Sequence, residues 1–317
     1  MKIVTWMLGS LLLTMVLAPL ALAQMSAMPK EVQEKVAAMG TTFTRETIGA
    51  TINLYTSYAK AAPRDGVKIT ADLPFGSDPL QKLDVYQPVG KSGVPIVVFV
   101  HGGGFVSGDK NGNGEIYGNV PLYFARKGML GVNINYRLAP ARPWPAGAKD
   151  VEGAVAWIKN NAAKHGGDPN RIFLVGHSAG ATHVASYVFD KSLQPAGGHG
   201  VAGVVLLSGL YRVTVRDVAA PEVKAYFGDD PSQFAARSPI SHVPGSSVPV
   251  FIVTAEYDPF FLALPSADLM MAICLRDKAC PRFTRLRHHN HISEATHLNT
   301  ADESLGPEII EFIQTLR

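Results

Sequence analysis

Gly176-His177-Ser178-Ala179-Gly180 sets a serine between two glycines, after the apolar run 172–175 and before the segment 181–188. The run reads as a short buried strand and the segment as a helix. Strand, sharp turn and helix are the setting in which a serine hydroxyl is pushed clear of the backbone, at the positive end of a helix. The glycines lack Cβ, so strand and helix can pack closely on either side of the turn. A serine presented this way can attack an acyl carbon, provided the chain also supplies a base, a group to orient it and donors for the developing oxyanion. The plain alternative is a glycine-rich βα loop with an ordinary serine.

The donors have a candidate. His101-Gly102-Gly103-Gly104-Phe105 follows the continuous apolar run 94–100. Consecutive glycines let backbone N–H groups approach a substrate oxygen, here those near Gly102 and Gly103, with the N–H of Ala179 as the third. A phosphate-holding loop would need G-x-G-x-x-G or a Walker lysine, and neither is present.

The same stretch carries a family resemblance. Tyr136-Arg137-Leu138-Ala139-Pro140, Pro145-Ala146, Asp150, Trp157 and Gly166-Gly167-Asp168-Pro169-Asn170-Arg171-Ile172, leading into the serine pentapeptide and joined to the HGGG loop, resemble the α/β-hydrolase superfamily. The likeness is to its HGGG-bearing carboxylesterases: the hormone-sensitive-lipase-like enzymes and the bacterial feruloyl-esterase and arylformamidase-like group. It runs from about Val67 to the C-terminus. His177 departs from the lipase-like branch, which usually has Asp before the nucleophile, and favours the feruloyl-esterase and formamidase side.

The resemblance implies triad order Ser, acid, His. Residues 250–259 offer Glu256 and Asp258 at a strand end, and the family's acid directly before Pro selects Asp258. Residues 286–293 hold His288, His289 and His291, with His297 beyond. The family's His-x-His, followed by an apolar residue and Ser, selects His291. His289 and His297 remain alternatives, and a metal site would need further converging donors. The implied catalytic set is Ser178, Asp258 and His291, with Gly102, Gly103 and Ala179 forming the oxyanion hole and no cofactor required. Asp150 and Glu152 precede the serine and read as structural. Phe105, Trp144, Trp157 and Tyr257 read as core aromatics, Phe260 and Phe261 as candidates for a pocket wall.

The elements that must position these groups follow from the pattern. The 317 residues are 47% hydrophobic and 17% charged, enough apolar material for one large α/β domain. A formal charge of +3 without a Lys/Arg run argues against nucleic acid as partner. Residues 1–23 read as a signal peptide: Lys2, an apolar stretch 6–22 too short for a bilayer span, and Ala21-Leu22-Ala23 before a mature Gln24. The expectation is an exported protein without stable membrane insertion. Cys274 and Cys280 are the only cysteines and are either a disulfide closing a small loop or two separate thiols.

Residues 24–66 read as a helical arm, divided near Gly40-Thr41-Thr42, that covers the main domain. Residues 67–317 read as the hydrolase domain. Half-exposed strands at 67–71 and 83–86 precede the buried run 94–100. Helices near 121–127, 148–163, 181–188, 266–275 and 309–316 then alternate with strands at 130–136, 172–175, 201–207, 248–254 and 282–286. This alternation predicts a mostly parallel, eight-stranded sheet with helices on both faces. The stretch 208–244 reads as irregular, and 209–246 as a short, fairly polar cap insertion. The resemblance implies a carboxylesterase acting on small or aryl esters, with arylformamide hydrolysis as the alternative. An interfacial lipase and a non-enzymatic binding module are the remaining readings, and oligomeric state is left open.

Overall fold

A computed structural model describes residues 28–112 and 115–316, so the expected signal peptide lies outside the described residues. Two helices open it, α1 (Lys30–Met39) and α2 (Arg45–Ala61), divided where glycine and threonines interrupt the apolar period. Thr44 and Thr47 form a reciprocal capping box that starts α2 cleanly.

Strands β1 (Val67–Pro74), β2 (Lys82–Pro88) and β3 (Val94–Val100) follow. Then come α3 (Asn119–Arg126), β4 (Leu130–Ile134), α4 (Ala146–Asn161), β5 (Gly167–His177) and α5 (Ala179–Phe189). Next are β6 (Gly203–Leu207), α6 (Pro221–Phe227), α7 (Pro231–Arg237), β7 (Val250–Tyr257), α8 (Phe260–Asp277), β8 (Arg282–Asn290), α9 (Ser293–Thr296) and α10 (Gly306–Thr315). The strands form one eight-stranded sheet in the order β1-β2-β4-β3-β5-β6-β7-β8. Only β1–β2 and β2–β4 pair antiparallel; the rest are parallel.

Successive residues of a strand point to opposite faces, so a strand covered on both sides must be apolar at every position. Ile96, Val98, Ile172 and Leu174 enter one core with Val151, Val155 and Ile158 of α4, Val184 and Val188 of α5 and Leu269 of α8. Val97, Phe99, Phe173 and Val175 enter the other with Val120 and Phe124 of α3 and Ile309 and Ile313 of α10.

Several boundaries differ from the sequence expectation. The stretch expected to be irregular contains α6 and α7, whose Tyr226, Phe227 and Phe234 form a separate apolar cluster with Phe105, Leu210 and Val213. The cap is therefore apolar on its inner face, although its charged residues dominate the composition. Strand β8 runs on to Asn290 because it is an edge strand, where charged side chains can stay in solvent. Helix α8 starts at Phe260 and carries Pro265 in its second turn, where the missing N–H leaves the Phe261 carbonyl without its intrahelical donor. Cys274 and Cys280 form a disulfide. Among the described residues no helix is long and apolar enough to cross a membrane.

Asp150 is fully buried near the start of α4. It accepts from Arg137 N at 2.7 Å, Arg137 Nε at 2.9 Å and Gln81 Nε2 at 2.8 Å, and pairs with the second guanidinium nitrogen. It thereby fixes the strand-to-helix loop that runs from Arg137 past the HGGG turn, the structural role expected for it. Asp150→Ala strands these donors and is expected to cost about 3 kcal/mol, a loss in Tm of several degrees, with both readable by denaturant and thermal melts.

Candidate active site

The polar groups collect at the carboxyl ends of the parallel strands, where ligand sites of open α/β sheets lie. Ser178 follows β5 with φ 55° and ψ −122°. That conformation is costly for a residue with a side chain and must be enforced by its surroundings. The Ser178 N–H donates to the Leu207 carbonyl at 2.8 Å, tying the turn to β6. A Cβ at Gly180 would strike the Val100 carbonyl, and one at Gly176 would lie 2.6 Å from Ala181 Cα. The two glycines thus let α5 start against the ends of β3 and β5.

The HGGG turn lies beside this serine. A Cβ on Gly102 would come within 3.1 Å of Ser178 Cβ, and Gly103 has φ 137° and no room for a side chain against the Ser107 carbonyl. The backbone N–H groups of Gly102, Gly103 and Ala179 meet no acceptor among the described residues, as donors kept for a ligand would. His101 stacks on Tyr136 with ring centroids 4.4 Å apart, and its Nδ1 donates to the Gly102 carbonyl at 2.6 Å. Burial pushes this imidazole down to about 4, so it is neutral and serves to shape the turn.

Asp258 lies just after β7 and is buried. Its Oδ1 accepts from His291 Nδ1 at 3.0 Å; its Oδ2 accepts from Ala255 N at 2.7 Å and Ser208 Oγ at 2.5 Å. With Nδ1 carrying the proton, His291 Nε2 presents a lone pair, and this buried atom has no partner. That is the tautomer a general base requires. The His291 carbonyl accepts from His177 Nε2 at 2.8 Å, and the two rings lie 4.8 Å apart. Ser178 and His291 are thus neighbours through His177, though they are not hydrogen-bonded to each other. Bonds of this kind commonly tighten only around a substrate.

The alternatives lie elsewhere. Glu256 accepts from the His288 N–H at 2.7 Å and does not bond His291. His289 bonds Ser293 Oγ at 3.1 Å and faces Asp302 at 3.3 Å; His297 Nδ1 donates to the Ser293 carbonyl at 2.7 Å. Among the described residues two groups have the donors to gather a cation, His177 with His291 and Glu294, and His289 with His297 and Asp302. In both, internal hydrogen bonds engage most of the donor atoms.

Sequence reasoning missed three participants. Ser208 follows β6 with φ 46° and bridges Asp258 and Glu294; Glu294, in the short α9, is fully buried. Phe43, between α1 and α2, sets its ring edge against His291 with centroids 5.1 Å apart, and against Phe261 at 5.8 Å. Thr42, Phe43, Tyr257, Pro259 and His291 line one cleft. The expected pocket aromatics Phe260 and Phe261 are exposed beside it, whereas Phe105 is buried against Tyr226. No motif marks Phe43 or Ser208, since each acts through a fold-level juxtaposition.

The prolyl oligopeptidase family model matches residues 142–305, and the BD-FAE model residues 83–191. The chain is similar to Esterase LipQ of Mycobacterium tuberculosis, 30% identical over 70% of this chain and 56% of that protein. It is also similar to Carboxylesterase NlhH of the same species, 31% identical over 55% of this chain and 59% of that one. The chain therefore spans little more than half the length of these curated relatives. Among solved structures, the esterase of the archaeon Pyrobaculum calidifontis superposes with a TM-score of 0.65 at 22% identity, over 90% of this chain and 95% of that one. Esterase B of Lactobacillus rhamnosis gives 0.70 at 19%, over 90% and 97%.

Two outcomes follow from this geometry. His291→Ala should lower kcat/KM on an ester by about three orders of magnitude or more, whereas His289→Gln should alter melting temperature and leave the acid–base step intact. Burial also depresses several histidines, furthest in four of them, His101 and His297 to about 4 and His177 and His183 to about 3, from an ordinary 6.5. The unfolded chain then binds more protons than the native one below the ordinary value. The stability these four contribute is fully present above about pH 6.5 and falls steadily as pH drops through this window, as urea midpoints at a series of pH values would record.

Proposed function

Because the chain belongs to the α/β-hydrolase superfamily, we propose that it is a serine carboxylesterase in which Ser178, His291 and Asp258 act as nucleophile, base and orienting acid. The single observation that carries this reading is the His291 imidazole, fixed by Asp258 through Nδ1 with Nε2 left bare, its ring 4.8 Å from that of His177, the residue directly before a serine in an elbow conformation.

The reaction has two halves. Ser178 Oγ attacks the acyl carbon while its proton passes to His291 Nε2. The carbonyl oxygen takes up the charge and is met by the N–H groups of Gly102, Gly103 and Ala179. Each such donor is typically worth about two to three orders of magnitude in turnover. His291 then gives its proton to the departing alcohol oxygen as the C–O bond breaks, leaving an acyl-serine. Water attacks that ester, His291 takes its proton and returns it to Ser178, and the acid leaves. Asp258 holds the imidazole in one tautomer and offsets the imidazolium charge; it need not itself be protonated.

The substrates proposed are small or aryl esters. Phe43 and Phe261 at the cleft support an aromatic or short acyl group, and the exposed, polar outer face of the cap does not favour an interfacial lipase. The same groups can hydrolyse an aryl formamide, and His177 before the nucleophile keeps that second reading. Export is part of the proposal: the leader-like residues 1–23 call for it, and a paired Cys274 and Cys280 suit an oxidising compartment.

Hydrolysis of p-nitrophenyl acetate and butyrate by the chain from Gln24 onward is the test. Ser178→Ala should lose at least about three orders of magnitude; a loss below tenfold would refute the assignment. Parallel kinetics on N-formylkynurenine and an aryl ester separate the two substrate classes.

A further inference from the structure

Glu294 takes no part in the reaction as written, yet its carboxyl is enclosed among the groups that do. Its Oε2 lies 2.9 Å from Ser208 Oγ, and its Oε1 lies 3.4 Å from His177 Nε2 and 3.7 Å from His291 Nδ1. Ser208 Oγ is in turn 2.5 Å from Asp258 Oδ2. One hydroxyl proton therefore stands between two buried carboxyl groups. Among the described residues neither carboxyl is paired with a lysine or arginine.

The nearby protons are already committed. His177 Nε2–H goes to the His291 carbonyl, and His291 Nδ1–H goes to Asp258 Oδ1. Asp258 is thus met by three donors and is the group equipped to carry charge. Glu294 is not: its Oε1 has no hydrogen-bond partner. A buried carboxylate left in that state is costly, and two sharing a neighbour do not both ionise readily. One arrangement satisfies the bridge. Glu294 keeps its proton on Oε2 and donates it to Ser208 Oγ, whose own proton then points to Asp258 Oδ2.

We propose that Glu294 is a positioning residue of the hydrolytic site, a neutral carboxylic acid that turns the Ser208 hydroxyl onto Asp258 and so holds the base against a single negative charge. This rests on the reading of Ser178, Asp258 and His291 given above. The groups facing Glu294 are Ser208 after β6, Asp258 after β7, His177 at the end of β5 and His291 after β8, with Tyr117 and Tyr211 nearby. Asp258 is the one anion among them. Burial first, and then that charge, hold the Glu294 carboxyl well above the usual carboxylate range.

Ester hydrolysis by the full chain against pH tests this. Glu294→Gln retains a donor to Ser208 and is neutral, so kcat and the acid limb of kcat/KM should match the wild type to within about twofold and a few tenths of a pH unit. Glu294→Leu removes the donor and frees the hydroxyl, so kcat should fall by roughly tenfold or more with KM little changed. An infrared difference spectrum, wild type minus Glu294→Gln at neutral pH, should show the C=O band of a protonated acid. A downward shift of the acid limb by about one pH unit or more in Glu294→Gln would overturn the inference, as would an infrared band of carboxylate instead of acid, since removing an anion this close to the imidazole has that effect. Full activity in Glu294→Leu would deny the positioning role, and the glutamine variant's pH and infrared readouts stand even if the leucine variant fails to fold. Activity surviving in Ser178→Ala would instead bring down the underlying reading.

Discussion

The arrangement depends on how closely a helix can approach the end of a strand. Gly176 and Gly180 let α5 begin in contact with the ends of β3 and β5, with backbone atoms where any side chain would stand. Only in that tight turn is Ser178 forced to φ 55° and its side chain lifted from the sheet. The amide of Ala179 and the HGGG turn then lie beside it, because Gly102 packs against the serine with no atom to spare. Everything else at this edge is support for a strained turn. The apolar runs 94–100 of β3 and 172–175 of β5, packed on both faces, hold its base, and the Ser178–Leu207 bond ties it to the next strand. A dense core is a stiff frame, and a stiff frame is what can hold a backbone outlier in place.

Behind the turn, the polar groups solve a different problem. Burial makes an imidazole useful as a base only if its tautomer is fixed and its charge, once formed, is offset. Asp258 does both through one oxygen and is itself held by Ala255 and Ser208 through the other. His101 under the glycine turn and His177 under the His291 carbonyl are held neutral by burial and act as shaped hydrogen-bonding rings. In a site rich in histidine, one ring alone, His291, has its Nδ1 held by a carboxylate and its Nε2 left bare.

Much of this was legible in the residues. Strands covered on both faces announce themselves as unbroken apolar runs, and β3 was delimited from sequence at both ends. The serine turn and the glycine turn carry local motifs because they are made by consecutive residues. Asp258 and His291 were picked by chain order and resemblance, and the structure joins them by a hydrogen bond. What escaped notice is non-local. Ser208 and Glu294 look like an ordinary loop serine and a solvated acid until the fold brings them together, Ser208 bonding Asp258 across 50 residues and Glu294 across 86. Phe43 lies far from His291 in sequence and meets it only because the N-terminal arm folds back across the sheet edge. The cap looked irregular because its helices are one or two turns long, too short for a period to emerge.

That arm has a consequence for how the chain must assemble. Its anchors lie almost at the opposite end of the polypeptide: Thr51 accepts from Asn290, and the Met28 amide donates to Asp302. Contacts spanning 239 and 274 residues are the slowest kind to close. Helices α1 and α2, made before any strand of the sheet, are therefore among the last to dock. Until the final strand and α9 are laid down, the apolar cluster of Val32, Val36 and Tyr55 lacks its C-terminal anchors, and the growing chain must carry it with only Ile116 and its neighbours as cover.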